Sequence, residues 1–232
     1  EIKFICLRYD KYKKISEIFK KNNLKISNFF SSSLVKSFKY LESFNQNKFV
    51  AFLDIGFERS TLISFVSQKL DFVNSIPIGG NHITKDISKI LKINFKESEK
   101  LKKSFNKSEM EFSYDESDTD DNFNFTNEII KKNIPIDLLK KVVLARIEEI
   151  MELIFNGFNF SEDIMNRKDL SLVLIGNGSK LFDKNSLHLD EKYNFKEISF
   201  YEETDIEICI AGLIFEKNFK EKNNDNLTKS KK

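Results

Sequence analysis

Asp54-Ile55-Gly56 closes an apolar run that begins at Phe49, presenting a carboxylate and a side-chain-free backbone where a strand should end. A carboxylate can hold Mg²⁺ through water and a bare backbone can donate N–H groups to phosphate, so the pattern is one way to build a phosphate and metal site. An aspartate before a glycine is also an ordinary hairpin turn, and the tripeptide alone leaves both readings open. Other glycines sit at the Gly79-Gly80 pair and at Gly176, Gly178 and Gly212, and Leu170 to Ile175 runs directly into Gly176-Asn177-Gly178-Ser179. Glycine at a strand end lets a ligand approach the backbone; simple turns explain any one of these positions, though less well all of them together. Glu99 and Lys102, three apart on a charged helix, read by themselves as a solvent-facing ion pair. His82 and His188 have no carboxylate or second histidine at metal-ligand spacing. No Ser/His/Asp or Cys/His set comes together, so no covalent nucleophile is expected.

These residues need elements to position them. Ile2 to Leu7 reads as a strand, Tyr12 to Lys21 as a helix with Ile15, Ile18 and Phe19 on one face, Leu24 to Phe30 as a second strand and Ser33 to Phe44 as a second helix. The polar break Asn45-Gln46-Asn47-Lys48 is the expected boundary. Beyond it, Phe49 to Ile55, Thr61 to Val66 and Leu70 to Ile78 are spaced like an antiparallel meander. Gly79-Gly80 breaks the third strand, and Asn81 is expected to cap a helix carrying Ile83, Ile87, Ile90 and Leu91. A charged helix follows at 96–105. The acidic stretch 109–128, with Phe112, Phe123 and Phe125, suggests short strands around a solvated loop. Pro135 opens a long amphipathic helix that ends near Gly157. The near-continuous apolar run Leu170 to Ile175 is a buried strand, a helix starts at Ser179, Ile198 to Phe200 is a short strand and Ile206 to Phe219 a helix.

With 232 residues, 40% of them hydrophobic, the chain can bury a sizeable core. Its 38 basic and 36 acidic residues leave a net charge of +2 with lysines spread throughout, so no field favours nucleic acid and no such partner is expected. Cys6 and Cys209 lack CxxC spacing, which fits burial in a reducing compartment. No apolar run approaches the ~18 residues of a membrane span and no signal-peptide pattern opens the sequence, which favours the cytoplasm. Glu1 stands where an initiating methionine would, inside a strand pattern, and the sequence is expected to be a fragment of a longer chain.

The order β-β-β-α-(insert)-α-β-α-β-α, with one strand ending in Asp-x-Gly and a later one in Gly-x-Gly, resembles the second half of the actin/Hsp70-like ATPases, most closely the FtsA family. The stretches that carry the resemblance are Val50-Ala-Phe-Leu-Asp-Ile-Gly56, Ile76-Pro-Ile-Gly-Gly-Asn-His-Ile-Thr-Lys-Asp-Ile87 and Glu97-Ser-Glu-Lys-Leu-Lys102, then Arg146-Ile-Glu-Glu-Ile-Met-Glu-Leu-Ile154, Leu172-Val-Leu-Ile-Gly-Asn-Gly-Ser179 and Ile210-Ala-Gly-Leu213. The Pro-x-Gly-Gly string is the most specific to that family; Asp-x-Gly and Gly-x-Gly belong to the whole superfamily.

The resemblance implies an α/β fold, the ribonuclease H-like second lobe of an actin-like ATPase, with a mixed sheet flanked by helices. Residues 1–45 would end the first lobe, 46–81 and 137–219 would form the second-lobe core, 82–136 an inserted small α+β subdomain and 220–232 a disordered basic tail. It implies ATP with Mg²⁺ as cofactor. Asp54 would hold the metal through water, the turn from Gly56 through Arg59, Ser60 and Thr61 would meet the β/γ-phosphates, Glu99 and Lys102 would contact ribose and adenine, and Gly176, Asn177, Gly178 and Ser179 would form the adenosine side. The implied protein is at most a weak ATPase and mainly an assembly factor. It would bind the FtsZ C-terminal tail and other divisome proteins, self-associate into filaments, and sit on the cytoplasmic face of the inner membrane at the division site through a C-terminal amphipathic helix outside this sequence. Phe57, Glu58, Arg59 and Ser60 stand where the family pattern continues Gly-Gly-Thr, adding a carboxylate where phosphate would lie. Two alternatives follow: a nucleotide-dead actin-fold scaffold and an actin-fold sugar kinase.

Overall fold

Apolar residues on both faces of the strand runs demand cover on both sides, and the computed structural model provides a helix-backed sheet. It describes residues 6–44, 49–105, 134–156, 169–181, Tyr193 and 195–229, which divide into two units. The larger unit, Leu41–Thr204, holds β1 (Phe49–Ile55), β2 (Ser60–Val66), β3 (Lys69–Ile76), β4 (Leu170–Ile175) and β5 (Glu197–Phe200) in the order β3-β2-β1-β4-β5. β1 to β3 form the expected meander, and its second turn, Ser67-Gln68, has both residues at positive φ, the geometry that matches strand twist. The Gln68 amide donates to the carbonyls of Leu41 (3.2 Å) and Phe44 (2.9 Å), which holds that turn in place. β4 and β5 join in parallel, β4 directly beside β1.

Period-two alternation sends Ala51, Leu53 and Ile55 to one face. There they pack with Leu62, Leu172 and Leu174 under α3 (Gly80–Leu91), α4 (Phe95–Phe105) and α5 (Ile136–Asn156). Ile83, Ile87, Leu101, Leu139, Ile147 and Ile150 are the helical share of this core, each fully buried aliphatic side chain contributing about 1.5–3 kcal/mol. On the opposite face Phe52 meets Phe44 and Phe65 edge-on. Arg146 on α5 pairs with Asp86 on α3 (2.6 Å) and with Glu149, tying the two helices together at their polar margin.

The smaller unit, Glu1–Tyr40 with Asp205–Lys232, contains α1 (Tyr9–Lys21), α2 (Ser32–Leu41, all but its last residue) and α6 (Asp205–Lys229). Phe215 of α6 lies against Phe30 and Phe38, each with ring centroids 5.1 Å away. Among the described residues no helix is long and apolar enough to cross a membrane.

Several expectations change. Residues 24–31 form no strand: Asn23, at φ 57°, turns the chain out of α1, and Phe30 packs its ring edge-on against Phe215. Most of the strand expected at Ile2 to Leu7, and the acidic stretch 109–128, lie outside the described residues. Asn81 does not cap α3; Gly79 occupies the cap and Asn81 the first turn. The helix expected from Ser179 is a short 3₁₀ turn, Asn177–Leu181. Cys6 and Cys209 are exposed. α6 continues to Lys229, into the stretch expected to be disordered, and no proline or glycine interrupts it after Phe219.

Candidate functional site

Parallel pairing of β1 with β4 sets Asp54 opposite Ile175, so both strands end side by side and their following loops share one edge of the sheet. Crevices beyond the carboxyl ends of parallel strands are where open α/β sheets hold ligands. The β4 loop lies directly on β1. Gly176 has φ +84°, and a Cβ there would strike the Asp54 carboxylate and come within 2.8 Å of the Ile55 carbonyl; a Cβ on Gly178 would strike the Ile55 side chain. Ser179, buried, closes the loop by donating its N–H (3.0 Å) and Oγ (2.6 Å) to the Gly176 carbonyl. Asp54 is 6% exposed and is thereby held between the two loops. Gly212 has open space around it and takes no part.

The turn after β1 is fastened differently. Gly56 N–H donates to the Arg59 carbonyl (2.9 Å), while the Gly56 and Phe57 carbonyls accept from Gly80 N–H (2.9 Å) and Asn81 N–H (2.7 Å) at the start of α3. A Cβ on Gly79 would lie 2.5 Å from the Gly56 carbonyl and 2.7 Å from Arg59 N, so the two glycine motifs touch. Glu58 accepts from the Asn81 side-chain amide at 2.6 Å, which places the additional carboxylate at the positive end of α3. The first amides of that helix are therefore occupied by the turn itself, whereas the N–H groups of Phe57 and Glu58 have no partner among the described residues. Arg59 donates to Ser75 Oγ (3.1 Å), Ser75 shares a hydrogen bond with Thr61 (3.0 Å), and the buried Ser60 hydroxyl donates to the Ile78 carbonyl (2.7 Å).

Glu99 and Lys102 come together, but not at the surface. Lys102 is 7% exposed, and its ammonium donates to the Gly80 carbonyl (3.0 Å), Thr84 Oγ1 (2.8 Å) and Glu99 Oε2 (2.7 Å), which uses all three N–H groups. It also lies 5.6 Å from the centre of the Phe57 ring. Glu99 accepts from Thr84 as well (2.5 Å) and faces Lys103 at 3.7 Å. Burial pushes the Glu99 carboxyl up, but hydrogen bonds from Lys102 and Thr84 and the charges of Lys102 and Lys103 outweigh it and hold the group below its ordinary value.

Ser75, Asn81 and Thr84 are the site residues that sequence reasoning missed. Asn81 was singled out only as a helix cap, and the other available signal was Thr84, a polar residue beside Ile83 on a face bounded by Ile87. His82 is structural: its Nδ1 accepts from Gly79 N–H (3.2 Å) at the helix cap. His188 lies outside the described residues. Among the described residues no three His, Cys, Asp or Glu side chains group to form a metal cage.

Comparison with known proteins gives these features a lineage. The sequence profile described as "Cell division protein FtsA" matches residues 51–183, more than half of the chain. The cell division protein FtsA of Bacillus subtilis (strain 168) is 34% identical over 113 residues, which cover 47% of this chain and only 24% of that protein. Among solved structures, MreB 5 of Spiroplasma citri bound to AMPPNP aligns with a TM-score of 0.61 at 17% identity, covering 95% of this chain and 68% of that one. The same protein bound to ADP gives 0.55 at 18% identity with the same coverage. The ethanolamine utilization protein EutJ of Carboxydothermus hydrogenoformans gives 0.50 at 14% identity, covering 84% of this chain and 57% of that one. The fold is actin-like, and the chain belongs to the FtsA family of cell-division proteins.

Proposed function

We propose that this chain is the nucleotide-binding lobe of a cell-division assembly protein, one that binds Mg·ATP between the β1 turn and the β4 loop and links the FtsZ ring to the cytoplasmic face of the inner membrane. The observation that carries the nucleotide half of this reading is the buried Asp54 carboxylate, packed against Gly176 at the shared end of two parallel strands. The family supports the division half, and the MreB 5 structures with AMPPNP and ADP support a nucleotide on this fold.

When bound, Mg²⁺ would neutralise the polyphosphate. Asp54 would orient its water shell, and the unpartnered amides of Phe57 and Glu58 would donate to phosphate oxygens. Arg59, Ser60 and Thr61 keep the turn in shape through Ser75 and Ile78. Gly176, Asn177 and Gly178 would let adenosine lie against backbone, and Glu99, with a side chain 21% exposed, would accept a ribose hydroxyl. Partners under this reading are the FtsZ C-terminal tail, further divisome proteins and other copies of the same protein in a filament.

One observation favours a nucleotide-dead scaffold instead: the turn consumes the first amides of α3 and carries an exposed carboxylate beside them. Calorimetry with Mg·ATP separates the two. Mg-dependent binding that Asp54→Asn removes supports the first reading; no heat of binding at millimolar nucleotide supports the scaffold. A pull-down with the FtsZ tail peptide tests the division role for both, and no capture would count heavily against it.

A further inference from the structure

The turn after β1 carries its own anion. Glu58 is exposed, yet its carboxylate does not swing freely: Oε1 accepts from the Asn81 side-chain amide at 2.6 Å. Asn81 is a firm anchor, 6% exposed at the start of α3, with its own N–H on the Phe57 carbonyl (2.7 Å). A helix start favours negative charge, and here the chain supplies that charge from within. Glu58 also contributes, with Phe57, one of the two turn amides that have no partner among the described residues. Donors suited to a phosphate and a carboxylate that repels one therefore stand within a side chain's reach of each other. The backbone attracts, and the side chain sets a limit.

The order of groups along the sheet edge says which phosphate meets that limit. The β4 loop offers bare backbone for the nucleoside at Gly176 and Gly178, and Asp54 lies between that loop and the turn. A polyphosphate anchored by its nucleoside at the β4 loop would run past Asp54 toward the turn, bringing its last phosphate to Phe57 and Glu58. We propose that Glu58 sets the length of the polyphosphate: the site takes a nucleoside diphosphate in preference to a triphosphate, because the third phosphate is the group that meets a carboxylate pinned by Asn81. This preference rests on the nucleotide reading above and deepens it. The carboxylate that counts against any nucleotide under the scaffold reading counts here only against the longer one.

Calorimetry on the whole chain with Mg·ADP and with Mg·AMPPNP, a triphosphate analogue used so that turnover does not shorten it, reads the preference directly. Wild type should bind Mg·ADP about tenfold more tightly, the size expected of like charges a few ångströms apart near a protein surface. Glu58→Gln keeps an acceptor for Asn81 and removes the charge, so the two affinities should converge, chiefly through a gain for Mg·AMPPNP. Asn81→Ala keeps the charge and releases it into solvent, and the ratio should narrow by less. Equal affinities in the wild type, or a ratio that Glu58→Gln leaves unchanged, would overturn the preference while nucleotide binding stands. A ratio unmoved in Asn81→Ala would overturn the pinning by Asn81. No binding of either nucleotide in wild type and Glu58→Gln alike removes the nucleotide reading itself, and the preference with it. Binding that appears only in Glu58→Gln also overturns the preference, since the carboxylate then excludes diphosphate and triphosphate equally.

Discussion

The two loops that end β1 and β4 reach the same edge of the sheet by different physical means. The β4 loop is held by exclusion: Gly176 and Gly178 lie so close to Asp54 and Ile55 that a methyl group has no room. The β1 turn has no glycine after Gly56, and exposed Phe57, Glu58 and Arg59 are tied down one bond at a time to α3, β3 and Lys102. Exclusion leaves no small adjustment open, whereas a set of hydrogen bonds can be weakened step by step. The loop should therefore fail abruptly under substitution and the turn gradually.

Gly176→Ala should produce the largest effect, a loss of about 3 kcal/mol from strained φ plus overlap with Asp54, read from the denaturant midpoint. A wild-type midpoint would break the comparison at its stronger end. Gly79→Ala, which forces the turn away from α3, should cost about 2 kcal/mol and weaken Mg·ATP binding more than adenosine binding. Asn81→Ala should cost only about 1 kcal/mol, since one cap-like hydrogen bond to the turn goes while the backbone bonds stay. Glu58→Gln keeps that bond's geometry and removes the charge; Mg·ATP should bind more tightly, and an unchanged affinity would show the carboxylate is screened from the ligand.

The smallest effect is one of pH. Because the folded state holds the Glu99 carboxyl below its ordinary 4.5, its contribution is present above that value and is lost as pH falls through the lower, folded value. Acid unfolding curves for Glu99→Gln should accordingly be flatter than wild type below about pH 4.5, with the two curves parallel near neutrality.

The meander, the buried β4 strand and the long α5 helix were legible because period and run length encode burial directly. Asp54, Gly56 and the Gly176 loop were legible as an Asp-x-Gly and Gly-x-Gly pair, although only the parallel register shows that they adjoin. What stayed hidden depended on contacts between residues distant in sequence. Glu58 reads as an obstacle to phosphate until Asn81 is seen to hold it, and Lys102 reads as a surface charge until Gly80 and Thr84 are seen around it. The missing strand at Leu24 to Phe30 has the same origin: apolar spacing cannot say that Phe30 packs on a helix ring far along the chain, Phe215.

α3 holds its neighbours at two points, Gly80 to Lys102 on α4 and Asp86 to Arg146 on α5. The chain between α4 and α5 therefore leaves and re-enters through stems that are clamped independently to one helix. Losing one clamp should leave the other intact, so the stability losses from Thr84→Val and Arg146→Met should add.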